Sequence, residues 1–172
     1  QYGGAVYAQD SATASFSNTN ISHNNAAQSG GAVLAQDSAT ASFSNTTISH
    51  NNARTSGGAL QIQDSAALAL TALNTFSSNQ ATQHGANGGC IFLASCSALT
   101  MGLTLFENNA ARRAGGAIFV ADSCSHMRAL QQALIGAAFF GNVAHGLVIV
   151  MRACAAVRFP TGFSNGTIFG RH

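Results

Sequence analysis

Aspartates recur at one position of a repeating pattern in this 172-residue chain. Asp10, Asp37 and Asp64 each stand in the tripeptide Gln-Asp-Ser, and Asp122 follows at the equivalent place. A glycosidase needs two carboxylates about 5–10 Å apart, which neighbouring repeats could supply. Asp in such a tripeptide also forms turns, and identical residues suit geometry better than distinct catalytic roles. We therefore predict turn formation and no enzyme activity. The alternative is a polysaccharide lyase or hydrolase with Asp10, Asp37 and Asp64 as its catalytic candidates.

Histidines and cysteines are the other residues able to do chemistry. His23 and His50 occupy equivalent positions, but no third ligand is evident, so we predict no metal site and no cofactor. The four cysteines form no Cys-x-x-Cys motif, which disfavours zinc and redox chemistry. Cys124 and Cys154 fall at equivalent positions of successive repeats, where a disulfide is feasible. Free buried thiols are the alternative.

The elements that must position these residues are repeats. Paired glycines begin at Gly3, Gly30, Gly57, Gly88 and Gly115. Residues 3–26 and 30–53 differ at two positions, Tyr7 against Leu34 and Asn20 against Thr47. A fixed period of this length predicts a solenoid. We divide the chain into a repeat region, 1–145, and a degenerate terminal coil and tail, 146–172, and expect the whole to be a fragment of a longer protein.

Within each repeat, apolar residues alternate with mixed ones. Counted from the second glycine, positions +2 and +4 are apolar in every unit, and positions +10 and +12 repeat the alternation in the first four. A period of two predicts β-strands. With a third strand before the Asn, each unit becomes a coil of three short strands that buries its inner face by stacking on its neighbours. The predicted fold is an all-β parallel β-helix of five to six coils of about 27 residues.

Two further columns follow from this stacking. An Asn recurs three residues after a large apolar residue, and an amide can donate to one coil while it accepts from the next. We predict a structural ladder of Asn24, Asn51, Asn79, Asn109 and Asn142. Position +3 should face outward and form a binding ridge of Tyr7, Leu34, Phe92, Phe119 and Ile149. Cover of this ridge by the protein itself is the alternative to contact with a partner.

Composition excludes several classes of function. The net charge is +2 and charged residues make up 7% of the chain, so the sequence predicts no basic patch of the kind that binds nucleic acid. No run of about 18 apolar residues is present, so we predict no membrane span in this segment. Stacked Thr13-Ala-Ser15 and Thr40-Ala-Ser42 suggest an ice-binding face as a lesser alternative, but Ala67 and Ala69 break the rows.

The pairing of Gly-Gly-Ala-[Ile/Leu/Val] with [Phe/Ile]-x-x-Asn resembles the repeat of polymorphic outer membrane proteins, the chlamydial-type surface adhesins. The resemblance spans Gly3 to Asn142. It implies a right-handed parallel β-helix, export, and adhesion to other cells. We therefore expect an extracellular or cell-surface scaffold for adhesion or assembly, whose partners are cell-surface glycans or proteins and the rest of a longer chain.

Overall fold

A computed structural model describes residues 2–95, 98–121, 137–144 and 149–151. In these ranges the chain winds into a parallel β-helix whose coils begin at the paired glycines. The first coil holds β1 (Val6–Ala8), β2 (Thr13–Ser17), β3 (Asn20–Ser22) and β4 (Asn25–Ala26). The second holds β5 (Val33–Ala35), β6 (Thr40–Ser44), β7 (Thr47–Ser49) and β8 (Asn52–Ala53).

Later coils repeat this order. The third holds β9 (Leu60–Ile62), β10 (Ala67–Leu70), β11 (Asn74–Ser77) and β12 (Gln80–Ala81). The fourth holds β13 (Ile91–Leu93), β14 (Ala98–Met101), β15 (Thr104–Glu107) and β16 (Ala110–Ala111). Then come β17 (Ile118–Val120), β18 (Ala137–Phe140) and β19 (Val143–Ala144), and β20 (Ile149–Met151) begins a sixth turn. Four coils thus carry all four strands within the described residues.

Equivalent strands pair in parallel and form four sheets. Sheet A has the order β1-β5-β9-β13-β17-β20, and sheet B has β2-β6-β10-β14. Sheet C has β3-β7-β11-β15-β18, and sheet D has β4-β8-β12-β16-β19. The sequence predicted a parallel β-helix, which is confirmed, but three strands per coil was wrong. The strands of sheet D are two residues long, too short to show an alternation.

The core lies between the sheets and is built from the predicted inward columns. Sheet A contributes Val33, Leu60, Ile91 and Ile118 at +2, all at most 1% exposed. Sheet B contributes Phe43, which is 0% exposed and stacks on Phe16 with ring centroids 4.9 Å apart. Sheet C adds a second aromatic stack of Phe76, Phe106 and Phe139. Burying each large side chain contributes about 1.5–3 kcal/mol, so like-on-like stacking supplies the stability of the rod.

Register differs from the sequence expectation at the last strand. Ile149 pairs with Ile118, and Val150 pairs with Phe119. Ile149 therefore does not continue the row of Phe119, and its predicted place in the binding ridge is wrong. The count from Gly146 is wrong by one residue, because Ile149 lies three residues after Gly146, as Ile118 lies three residues after Gly115, the first glycine of its pair.

Candidate functional site

The aspartate row lies at the corner between sheets A and B. Asp10, Asp37 and Asp64 take left-handed φ angles of 59°, 53° and 54°. Asp tolerates this conformation better than most residues, which accounts for its place in the turn. Ser95 takes φ 53° at the equivalent place in the fourth coil, so the corner does not require a carboxylate. Asp122 lies outside the described residues.

Each carboxylate of the row is bound by the amide of the preceding glutamine. Gln36 Nε2 donates to Asp37 Oδ2 at 2.7 Å, and Gln63 Nε2 donates to Asp64 Oδ2 at 2.8 Å. The same bond in the first coil, to Asp10, measures 3.2 Å. The three acids therefore repeat one local contact. They do not present the two different environments that separate an acid from a base or nucleophile.

A histidine pair lies at the corner between sheets C and D. The rings of His23 and His50 are parallel within 3°, and their centroids are 5.0 Å apart. Both side chains are exposed. Among the described residues, no three His, Cys, Asp or Glu side chains gather closely enough to hold a metal ion.

The asparagine ladder runs beside this corner, on the inner side. From the second coil on, the Oδ1 atom accepts from the backbone N–H and the Nδ2 of the preceding Asn, as Asn79 does from Asn51, both at 3.0 Å. The Nδ2 atom also donates back to a strand carbonyl, Asn79 to Ile48 at 2.9 Å. The five predicted residues lie in this single ladder: Asn24, Asn51, Asn79, Asn109 and Asn142. The ladder satisfies buried backbone groups, and its inner members Asn51, Asn79 and Asn109 are at most 1% exposed.

One polar core residue escaped the sequence reasoning. Asn74 is 0% exposed, accepts from the backbone N–H of Thr46 at 3.1 Å, and donates to the carbonyl of Ala72 at 2.7 Å. It lies in a second polar row with Thr46 and Thr104. A single Asn in a chain so rich in Asn carries no repeating signal, so this role could not be read from spacing.

The predicted binding ridge on sheet A is mostly covered. Tyr7 is 45% exposed, but Leu34 is 1% and Phe119 is 3% exposed. Phe92 stacks on Phe119 at 5.4 Å and is half-buried. The expectation of an exposed ridge is therefore wrong at Leu34 and Phe119. The burial agrees with the alternative of cover by the protein itself. Alternation alone could not predict this, because it does not reveal what lies over an outward face.

Two exposed aromatic rings remain near this row. Tyr2 is 54% exposed, and its ring lies 6.3 Å from that of Tyr7. Elsewhere an open groove borders sheet D, lined by Gln80, Thr82, Arg112 and Val143 among others. Neither Tyr2 nor the groove was predicted from the sequence. Tyr2 precedes the first paired glycines, and the groove is lined by equivalent positions of sheet D, whose strands are too short to show an alternation.

The cysteines show no built redox site in the described part of the chain. Cys90 is a free thiol with 0% exposure, and burial raises its pKa well above the ordinary value. The proposed pair Cys124 and Cys154 lies outside the described residues. The two Thr-Ala-Ser rows do stack in register, with Ser42 Oγ donating to Ser15 Oγ at 2.9 Å, but Ala67 and Ala69 follow them.

Comparison with known proteins identifies the fold family. The family model described as the right-handed β-helix region matches residues 1–158. The chain belongs to the right-handed β-helix family. This right-handed β-helix shows no significant similarity to any curated protein or solved structure. No helix long and apolar enough to cross a bilayer occurs in the residues that the structure describes.

Proposed function

We propose that this right-handed β-helix is a non-catalytic, stiff scaffold at the cell surface or outside the cell, which serves adhesion or assembly. One observation carries the proposal. The polar side chains that could do chemistry recur in rows and repeat the same contact from coil to coil. The Gln–Asp bonds and the Asn ladder are the examples. Such repetition suits a rod that presents one surface many times.

Two features support display at a cell surface and contact with a partner. The resemblance of the Gly-Gly-Ala and Phe-x-x-Asn pattern to the repeat of polymorphic outer membrane proteins supports display at a cell surface. The outward side chains of sheet B are small and uncharged, as at Thr13, Ser15, Thr40 and Ser42, which makes a surface able to form hydrogen bonds with neutral sugars or protein backbone. Binding by the exposed rings of Tyr2 and Tyr7 would add stacking on a sugar face.

A polysaccharide panel tests the proposal. The full chain is incubated with immobilised neutral and acidic polysaccharides, and retention is scored together with release of reducing or unsaturated ends. We expect retention without release. Release of ends would contradict the scaffold proposal, and its loss in Asp37→Asn would assign the activity to the aspartate row.

A matched variant locates the contact. Tyr7→Leu converts the first coil to the residue that its near-identical neighbour carries at Leu34, so the fold is preserved. We expect this change to lower retention several-fold, whereas Asp37→Asn should leave it unchanged. Equal retention by Tyr7→Leu would place the contact elsewhere, and loss of retention in Asp37→Asn would make the carboxylates part of it.

A further inference from the structure

The histidine pair has a geometry that its turn does not require. The left-handed corner is occupied by His23 (φ 58°) and His50 (φ 54°), but by Ser78 (φ 55°), Asn108 (φ 52°) and Gly141 (φ 58°) in the next three coils. The backbone therefore forms without imidazole. Two exposed parallel rings in adjacent coils are an addition to the turn, and they bring two strong nitrogen ligands together.

The backbone beneath the rings is held firmly. The N–H of His23 donates to the carbonyl of Ser49 at 3.2 Å, and that of His50 donates to Ser77 at 3.0 Å. Each histidine is followed at once by a ladder residue, Asn24 or Asn51, whose backbone N–H is also bonded. The two Cα positions are thus fixed, while the exposed imidazoles can turn about their side-chain bonds.

The separation of the rings suits chelation after a small rotation. Metal–imidazole bonds are about 2.0–2.1 Å long, so two nitrogens bound at a right angle to one ion lie about 3 Å apart. The ring centroids lie 5.0 Å apart, so the two nitrogens reach this spacing when the rings tilt toward each other and leave their parallel arrangement. Both are exposed, so this convergence costs side-chain entropy and no repacking of the core.

We propose that His23 and His50 form a two-histidine surface site for a divalent 3d metal ion, with Cu²⁺ bound most tightly and water in the remaining positions. Imidazole suits Cu²⁺, Ni²⁺ and Zn²⁺, and Cu²⁺ binds strongest in that series. Because the described residues supply no third His, Cys, Asp or Glu ligand, the ion keeps open positions. A second ligand could replace the water in these positions, and the ion itself exchanges with free metal in solution.

The test is a titration of the full chain with Cu²⁺ in a glycine buffer that removes loosely bound ion. The binding heat and the nitrogen hyperfine pattern of the bound Cu²⁺ are recorded for the wild type and for His23→Ser and His50→Ser. Ser is the residue of the next coil at this corner, Ser78, so both variants should fold, and their melting temperatures without metal verify this. His84→Ser, at another exposed histidine, is the matched control.

We expect one Cu²⁺ bound by two nitrogens, with affinity reduced at least tenfold by either corner variant and unchanged by His84→Ser. Cu²⁺ should also raise the melting temperature of the wild type and of His84→Ser, and not that of the corner variants. A reduction of about twofold in each corner variant would mean independent single-histidine contacts and would overturn the site. Binding confined to millimolar Cu²⁺, or equal weakening in His84→Ser, would show an adventitious ion only.

Discussion

At the scale of single residues, the two glycines that open each coil are required for different reasons. The first takes a left-handed φ, 62° at Gly57, which is open to glycine without strain. The second approaches the next coil so closely that a Cβ on Gly58 would overlap the carbonyl oxygen of Gly89. The second glycine therefore permits the close approach that the strand ladders impose on neighbouring coils, a role that spacing along the sequence does not disclose.

Gly58→Ala should consequently disrupt the stack. A methyl group there also meets the backbone of Gln80, which cannot turn aside as a side chain can. We expect a loss of more than about 3 kcal/mol in the free energy of unfolding, or no folded protein. Gly102→Ala is the control, because its Cβ would lie 3.3 Å or more from its neighbours. Urea unfolding of both decides, and equal midpoints would show that close approach does not select the glycine.

The buried thiol predicts a dependence of stability on pH. Burial raises the pKa of Cys90, so above about pH 8.5 the thiol ionises in the unfolded chain and stays neutral in the folded one. Ionisation therefore favours unfolding, and the free energy of unfolding should fall as pH rises from there, by up to about 1.4 kcal/mol per pH unit. This contribution is intact at lower pH.

Cys90→Ala isolates the effect of the thiol. Alanine is the residue at this position in the other four coils, at Ala5, Ala32, Ala59 and Ala117, so the substitution should be tolerated. Urea unfolding between pH 7 and 10 should show a shallower decline for Cys90→Ala than for the wild type. Parallel curves would mean that the thiol titrates alike in both states.

At the scale of strands, alternation predicts well where one face is buried against the core. The inward residues of sheets A and B, such as Val33 and Phe43, were predicted correctly because an apolar side chain at every second position has one energetically acceptable orientation. The burial of outward Leu34 was not predictable, since alternation assigns a side chain to a face of the sheet but not what lies over that face. The ladder positions were readable because Asn recurs, whereas the single Asn74 was not.

The near-identical first and second coils allow a matched test of stacking. Phe16 and Phe43 lie in the same local sequence, Thr-Ala-Ser-Phe-Ser, but Phe43 is 0% exposed and Phe16 is half-buried. Phe43→Ala should lower the free energy of unfolding by about 3–5 kcal/mol, and Phe16→Ala by clearly less. The reason is that folding buries less apolar surface at Phe16 than at Phe43. Calorimetric melting measures both. Equal losses would mean that strand sequence and not position in the stack sets the contribution.

At the scale of the whole molecule, each coil is stabilised mainly by the coils on either side of it. The described strands pair with their equivalents in neighbouring coils, through ladders that continue from β1 to β20 in sheet A. Stability of such an array is close to a sum of coil terms and nearest-neighbour terms. A coil with one neighbour should then open more readily than a coil with two, even when both have the same sequence and the same hydrogen bonds.

Native-state hydrogen exchange of the 172-residue chain tests this. The amides of Val6 and Val33 donate to equivalent carbonyls, Ala32 and Ala59, both at 3.0 Å, and lie in the same tetrapeptide Gly-Gly-Ala-Val. Their intrinsic exchange rates are therefore alike, and differences report the stability of the coil. We expect Val33 to exchange at least tenfold more slowly than Val6, which corresponds to about 1.4 kcal/mol. Equal protection would show that the coils open together as one cooperative unit, in which case the rod transmits the loss of any one contact along its whole length.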